Sequence, residues 1–342
     1  MERATRRSGG FSLIELMISA AILVIVVTAV MQSFVVQNRA YTVTDQVVEA
    51  QQSLRAVAWL LERDARMTGF LVPEAAALCA IDETNRPDMV WFTDADALDP
   101  NGQARPALGA EVLNNSYAST ISIQSIQVAN TVLDGTAPGA GAFHDNNGDG
   151  VPDADFLEGG GAILVDLDDP ARGAACGVVL DVAASTVRVD FRTRITPIAG
   201  DRLILVPAQV YEVVLDPPGS VDEPQLLRNG RVIATGVEDL QVAFFFDRDR
   251  DGVLDGEHLL TGEMPGADGA VVYASNAHDN RDLREIRINL VTRTRQEDAE
   301  TSAGQFQAQE NRVAPGGNDG YRRRVHTSTV KLRNVGYRGT ST

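Results

Sequence analysis

Two stretches of this chain place oxygen-bearing side chains at alternate positions ahead of a glycine. The first contains Asp145, Asn147, Asp149, Gly150, Asp153 and Asp155; the second contains Asp247, Asp249, Asp251, Gly252, Asp255 and Glu257. Both read D-x-[DN]-x-D-G-x-x-D, a spacing that wraps carboxylate and amide oxygens around a hard cation while the glycine permits a sharp turn. The next backbone carbonyl, Val151 or Val253, can complete the cage, and such a flexible oxygen set suits calcium better than magnesium. The expected ligands are therefore Asp145, Asn147, Asp149, Val151 and Asp153 in one turn, and Asp247, Asp249, Asp251, Val253 and Asp255 in the other. The twelfth position, where such a loop usually ends in a bidentate Glu, holds Phe156 or His258, with Asp155 and Glu257 one residue early. Weak sites are expected. The plain alternative is a pair of acidic, solvated hairpin tips.

A third chemical position is Glu15, a carboxylate inside a nearly continuous apolar run from Phe11 to Val36. An ionised acid in hydrocarbon costs on the order of a few kcal/mol, so it needs a partner. The run is of membrane-spanning length, roughly 20 residues being enough. Arg3, Arg6 and Arg7 precede it, offset by Glu2, and the positive-inside tendency holds that end in the cytoplasm and sends the remainder across. Ala29 is followed by Val30, Met31 and Gln32 with continuing helical periodicity, so the run is expected to be retained as an anchor. Beyond the cytoplasm, Cys79 and Cys176 can persist as a disulfide. They can equally be two small buried apolar groups, because a separation in sequence fixes no distance in space.

The elements that must position these residues fall into two kinds. Past the apolar run, Val43, Val47, Leu54, Val57, Ala58, Leu61 and Ala65 recur at three- and four-residue steps with Gln51, Gln52, Arg55, Glu62 and Arg66 between them, which predicts one amphipathic helical face. No proline interrupts Phe11 to Thr68, and Gly69 and Pro73 supply the stop. From Phe70 onward, short β-type runs are separated by turn residues: "DMVWFT", "TISIQSIQV", "GAILVDL", "STVRVDFRT", "DRLILV", "QVYEVVL", "DLQVAFFFD", "EIRINLVTRT" and "RVHTSTVKLRN". Val187, Val189 and Phe191 alternate with Arg188, Asp190 and Arg192, as do Ile286, Ile288 and Leu290 with their neighbours, which predicts sheets with one wet face. In "LLRNGRVI", Asn229 and Gly230 between apolar pairs predict a two-residue hairpin. No crossover helices are expected between strands.

Composition narrows the functions available. The 342 residues are 44% hydrophobic and carry 30 Lys and Arg against 47 Asp and Glu, a formal net charge of -17. That balance is too acidic for phosphate-backbone binding, and no direct nucleic-acid contact is expected. His144, His258, His278 and His326 are scattered, and no G-x-S-x-G elbow, H-E-x-x-H helix or phosphate loop accompanies them. An enzyme is not expected.

The stretch "RRSGGFSLIEL" from Arg6 to Leu16 resembles the type IV prepilin signature. The resemblance implies a leader 1–10 cut after Gly10 by a membrane peptidase, Phe11 as the methylated new N-terminus, and Glu15 as the fifth mature residue, pairing with the terminal amine of a neighbouring subunit during assembly. Further along, "LERDARMTGF", "LLRNGRVIATGVEDLQVAFFFDRDRDG", "LREIRINLVTRTR" and "YRRRVHTSTVKLRN" are similar in order to segments of PilW-like minor pilins, with part of the pattern shared by GspJ-type pseudopilins of type II secretion. The implied fold is α+β and pilin-like: a transmembrane helix 11–36, an amphipathic periplasmic helix 37–69, and a mainly antiparallel β-sheet head 70–342. The implied function is a minor pilin that primes assembly of a type IV pilus or enters the fibre, serving motility, adhesion or DNA uptake. Its implied partners are other pilins, the prepilin peptidase and the inner-membrane assembly machinery. It would sit in the bacterial inner membrane with a periplasmic head and then on the surface pilus. A GspJ-like secretion pseudopilin and a calcium-dependent pilus-tip adhesin are the alternatives.

Overall fold

The computed structural model describes residues 12–70, 72–93, 110–113, 116–128, 156–183, 186–198, 200–216, 223–249, 251–254, 264–265, 271–273, 280–298, 309–313 and 319–335. One helix, α1 (Leu13–Met67), carries the apolar run and continues unbroken through the amphipathic stretch. Its sequence contains neither Gly nor Pro, the two residues that most weaken a helix interior. Thr28 and Thr42 return their hydroxyls to the carbonyls of Val24 and Asn38, so these polar side chains satisfy themselves within the helix. At the other end Gly69 adopts φ +76, and a Cβ there would meet Val335 at 2.7 Å. Asn334 Nδ2 reaches the carbonyls of Arg66, Met67 and Thr68 at 3.4–3.5 Å, groups that a helix end leaves without internal partners.

The chain divides into two compact units, Met1–Glu49 and Ala50–Thr342. In the first, apolar side chains from Leu13 to Val36 are exposed around the whole helix circumference, a surface suited to hydrocarbon rather than water. This helix is long and apolar enough to cross a membrane. In the second unit α1 buries Leu54, Val57, Ala58, Leu61 and Ala65, the stripe the periodicity predicts, and Asp64 with them.

Ten strands form the larger sheet among the described residues: β1 (Leu78–Ile81), β2 (Met89–Thr93), β3 (Ala110–Glu111), β4 (Ile123–Gln127), β5 (Gly161–Asp166), β6 (Ala174–Ala183), β7 (Thr186–Phe191), β8 (Leu203–Val214), β9 (Gln225–Arg228) and β10 (Arg231–Thr235). Its order is β1-β2-β8-β5-β6-β7-β4, with β3 and β9 also on β8 and β10 on β9. The smaller sheet runs β12 (Met264–Pro265), β13 (Val271–Tyr273), β11 (Val237–Phe246), β14 (Leu283–Arg293), β15 (Arg323–Lys331). All the pairings are antiparallel. Asn229 and Gly230 take φ 52 and 70 at the β9–β10 turn, the two positive angles that a type I′ hairpin requires.

Three features depart from the strand pattern read in the sequence. "DRLILV" and "QVYEVVL" are one strand, β8: Pro207 between them stays in register with Ala162 of β5 and on its other edge falls between Leu205, paired with β3, and Ala208, paired with β2. β1 and β6 carry Ala, Cys and Gly in place of the alternation that marks a half-buried strand. And β5 and β11 are buried at every position, so the expectation of one wet face fails for them.

The reason lies in how the larger sheet closes. In a flat sheet β1 and β6, four steps apart, would be separated by about 19 Å at about 4.8 Å per step. Cys79 and Cys176 on these strands instead have Cα atoms 6.3 Å apart and are disulfide-bonded. Trp91 Nε1 on β2 also donates to the Gly177 carbonyl on β6 at 2.9 Å. The sheet is rolled, and Cys79, Trp91, Ile163, Cys176, Val206 and Val210 fill its interior. The opposite faces of β1 and β2, through Leu78, Val90 and Phe92, join α1, Leu240, Phe244, Ile286 and Ile288 in one core.

The smaller sheet is covered on its other face by polar chain. Glu310 accepts Arg287 Nε at 2.7 Å and Nη2 at 2.8 Å, Arg312 Nη1 donates to Asp239 at 2.8 Å, and Val313 N–H donates to the Thr84 carbonyl at 2.9 Å. Asp88 accepts the Val242 and Glu83 amides. Burial, reinforced by the charges of Asp82 and Asp239, pushes the Asp88 carboxyl well above the usual range. Burial likewise raises Asp239 to about 6, against the pull of Arg312. A carboxyl raised in the folded state takes up its proton before the unfolded chain does, so stability is gained as pH falls through that value and lost as it rises. For Asp239, from 3.8 to about 6, the scale is about 3 kcal/mol. The denaturant midpoint of the protein in detergent should therefore be higher at pH 5 than at pH 7.5, and Asp239→Asn should reduce that difference. An unchanged pH dependence in the variant would contradict the assignment.

Candidate functional site

Gly10 and Phe11, which flank the expected cut, lie outside the described residues. Glu15 stands in the first turn of α1, where its Oε2 accepts the backbone N–H of Ser12 at 3.0 Å. Ser12-x-x-Glu15 is one half of a reciprocal capping arrangement, which satisfies a donor that a helix start otherwise leaves orphaned. The carboxylate therefore has an intramolecular task beside any it has towards a neighbour. The S-x-x-E spacing was present in the sequence and is the signal for it.

At the head end of the helix, Asp64 is a carboxylate within the buried stripe. Its Oδ2 accepts Tyr211 Oη at 2.6 Å, Arg228 Nε at 2.9 Å and Arg228 Nη2 at 2.8 Å. Burial, then the Asp64 charge, pushes the Tyr211 hydroxyl upward, so it stays a donor. This cluster ties α1 to β8 and β9, and removing one partner of such a buried pair costs about 3–5 kcal/mol. Periodicity alone hid Asp64, since a charged residue on an apolar face reads as an interruption.

The second acidic turn follows β11. Asp247, Asp249 and Asp251 each offer a carboxylate oxygen, and these oxygens lie within 4.8 Å of one another. Asp247 is 3% exposed, and the other two are at the surface. The turn is pinned at its base, where Asp247 N–H donates to the Asp282 carbonyl at 2.8 Å and Arg284 Nε donates to Asp247 Oδ2 at 3.1 Å. Arg248, between two of the acids, sits over the Phe246 ring at 4.2 Å. Gly252 takes φ +88, which accounts for a glycine there. Val253 follows and is exposed. Asp255 and the whole of the first turn, with Asp145, Asn147, Asp149, Val151 and Asp153, lie outside the described residues.

A membrane-length helix that opens on a Glu-capped turn and runs on into an antiparallel head is similar to the build of type IV pilin-related proteins, and residues 5–31 match the model of the prokaryotic N-terminal methylation motif. Within that class the chain is PilW-like: residues 219–334, from the approach to β9 to the end of β15, match the model of the type IV pilus-assembly protein W. A solved type IV-like pilin from Thermus thermophilus aligns over 83% of this chain and 97% of its own, at 12% identity and a TM-score of 0.31. No curated protein matches the chain.

Proposed function

We propose that this chain is a minor pilin of a type IV pilus, anchored by α1 in the inner membrane with its head in the periplasm until it primes or enters the fibre. The observation that carries this reading is the pairing, in one chain, of a methylation motif at 5–31 with a PilW-type segment at 219–334. The apolar circumference of α1 ahead of Val36 supports anchoring, and its partners would be other pilins and the assembly machinery. The role is read as structural, not enzymatic, in keeping with what such families do. Deleting the gene should lower the yield of sheared pili, and the chain should be recovered in wild-type fibres. Normal piliation together with lost secretion of folded exoproteins would favour the GspJ-like reading instead.

Processing provides a direct check. Cleavage after Gly10 removes Arg3, Arg6, Arg7 and Glu2, a leader charge of +2, which takes the formal net charge from -17 to -19. N-terminal sequencing of the mature protein should therefore begin at Phe11. A start at Met1, or near Gln32, would overturn the leader assignment.

A further inference from the structure

We propose that the turn after β11 is a calcium site in which the buried carboxylate of Asp247 is the anchoring ligand and the exposed Asp249 and Asp251 close over the ion. Acidic residues at a surface turn do not by themselves make a site. Here the added observation is Asp247 Oδ1, which is buried and has no hydrogen-bond partner among the described residues. Arg284 occupies the other oxygen, so Oδ1 is what this carboxylate has left to offer. A buried acceptor without a donor is destabilising, and a cation held between it and the two neighbouring acids removes that cost.

Charge points the same way. Three carboxylates whose oxygens lie within 4.8 Å repel one another, and Arg284 pairs with Asp247 at the base of the turn. A divalent ion held between them relieves that repulsion. The all-oxygen donor set and the exposed, adaptable outer ligands select calcium over magnesium, which demands near-octahedral geometry and gives up its waters reluctantly. With two of the three carboxylates in solvent, affinity belongs in the range of extracellular modules, about 10⁻⁴ to 10⁻³ M.

Arg284 is a positioning residue: it holds Asp247 through Oδ2 at 3.1 Å and donates to the Arg281 carbonyl at 2.7 Å. An ion at the turn would therefore clamp the end of β11 to the start of β14, the central pair of the PilW-type sheet.

The test uses the full chain in detergent, with calcium or magnesium as the only added ligand. The Asp249→Asn/Asp251→Asn double variant removes exposed carboxylates and leaves the buried Asp247–Arg284 pair intact, so folding is retained. Equilibrium dialysis at 5 mM calcium should show one ion fewer per chain in the variant than in the wild type, whatever the first acidic turn binds. Calcium should also raise the thermal midpoint of the wild type more than that of the variant, and magnesium should do so less than calcium. Equal calcium stoichiometry in the two proteins would overturn the site, and equal stabilisation by magnesium would overturn its selectivity.

Discussion

Glu15→Gln should leave the protein helical and membrane-bound yet reduce its recovery in sheared fibres by at least about tenfold. The glutamine amide oxygen can still accept the Ser12 N–H that Glu15 accepts at 3.0 Å, as Gln does in capping arrangements. What it cannot do is neutralise a neighbouring subunit's amine, the pairing that the prepilin resemblance implies. Breaking a buried ion pair costs about 3–5 kcal/mol, and each 1.4 kcal/mol is about tenfold in an equilibrium. Glu15→Ala removes the cap as well and should be at least as defective. The comparison separates the two tasks of the carboxylate: a Gln variant that assembles normally while the Ala variant fails would assign Glu15 to helix capping alone.

Replacing both half-cystines, Cys79→Ala with Cys176→Ala, should cost the head about 3–5 kcal/mol. The bridge spans 97 residues, and closing a loop of about that size removes up to about 4.7 kcal/mol of unfolded-chain freedom. Both residues are buried, so alanine avoids stranding a hydroxyl in the rolled sheet. At about 2–4 °C per kcal/mol for a domain of roughly this size, the thermal midpoint should fall by about 10 °C. Midpoints within a degree of each other would show that the apolar interior alone holds the roll closed.

Much of this architecture was legible in the residues. The unbroken α1, the hairpin at Asn229-Gly230 and the alternating β7 follow from local chemistry, because each is decided by neighbours a few positions apart. What was not legible depends on distant chain. β6 reads poorly because its Ala, Cys and Gly positions are sized to fit against Trp91 and the interior of a rolled sheet, a demand set by strands far away in sequence. The double burial of β11 is dictated by residues 309–313, whose Glu310 and Arg312 look like ordinary solvated charges until Arg287 and Asp239 are found opposite them. Of the site residues, Asp247, Asp249 and Asp251 place carboxylate oxygens within 4.8 Å of one another, and Cys79 and Cys176 are disulfide-bonded. Asp64 and Arg228 were missed because their complementarity crosses 164 positions.

The cross-link in the rolled sheet also bears on mechanics. In the proposed fibre the subunit would take load from α1, and a head yielding to that load would unspool first through β1. At Cys79 the pull passes straight to Cys176, skipping the chain between two residues 97 positions apart. At about 3.4 Å per extended residue, roughly 330 Å of chain is thereby withheld from extension. A bridge that looks like a folding constraint thus sets how far a strained subunit can lengthen before its load is carried by β6 and the strands behind it.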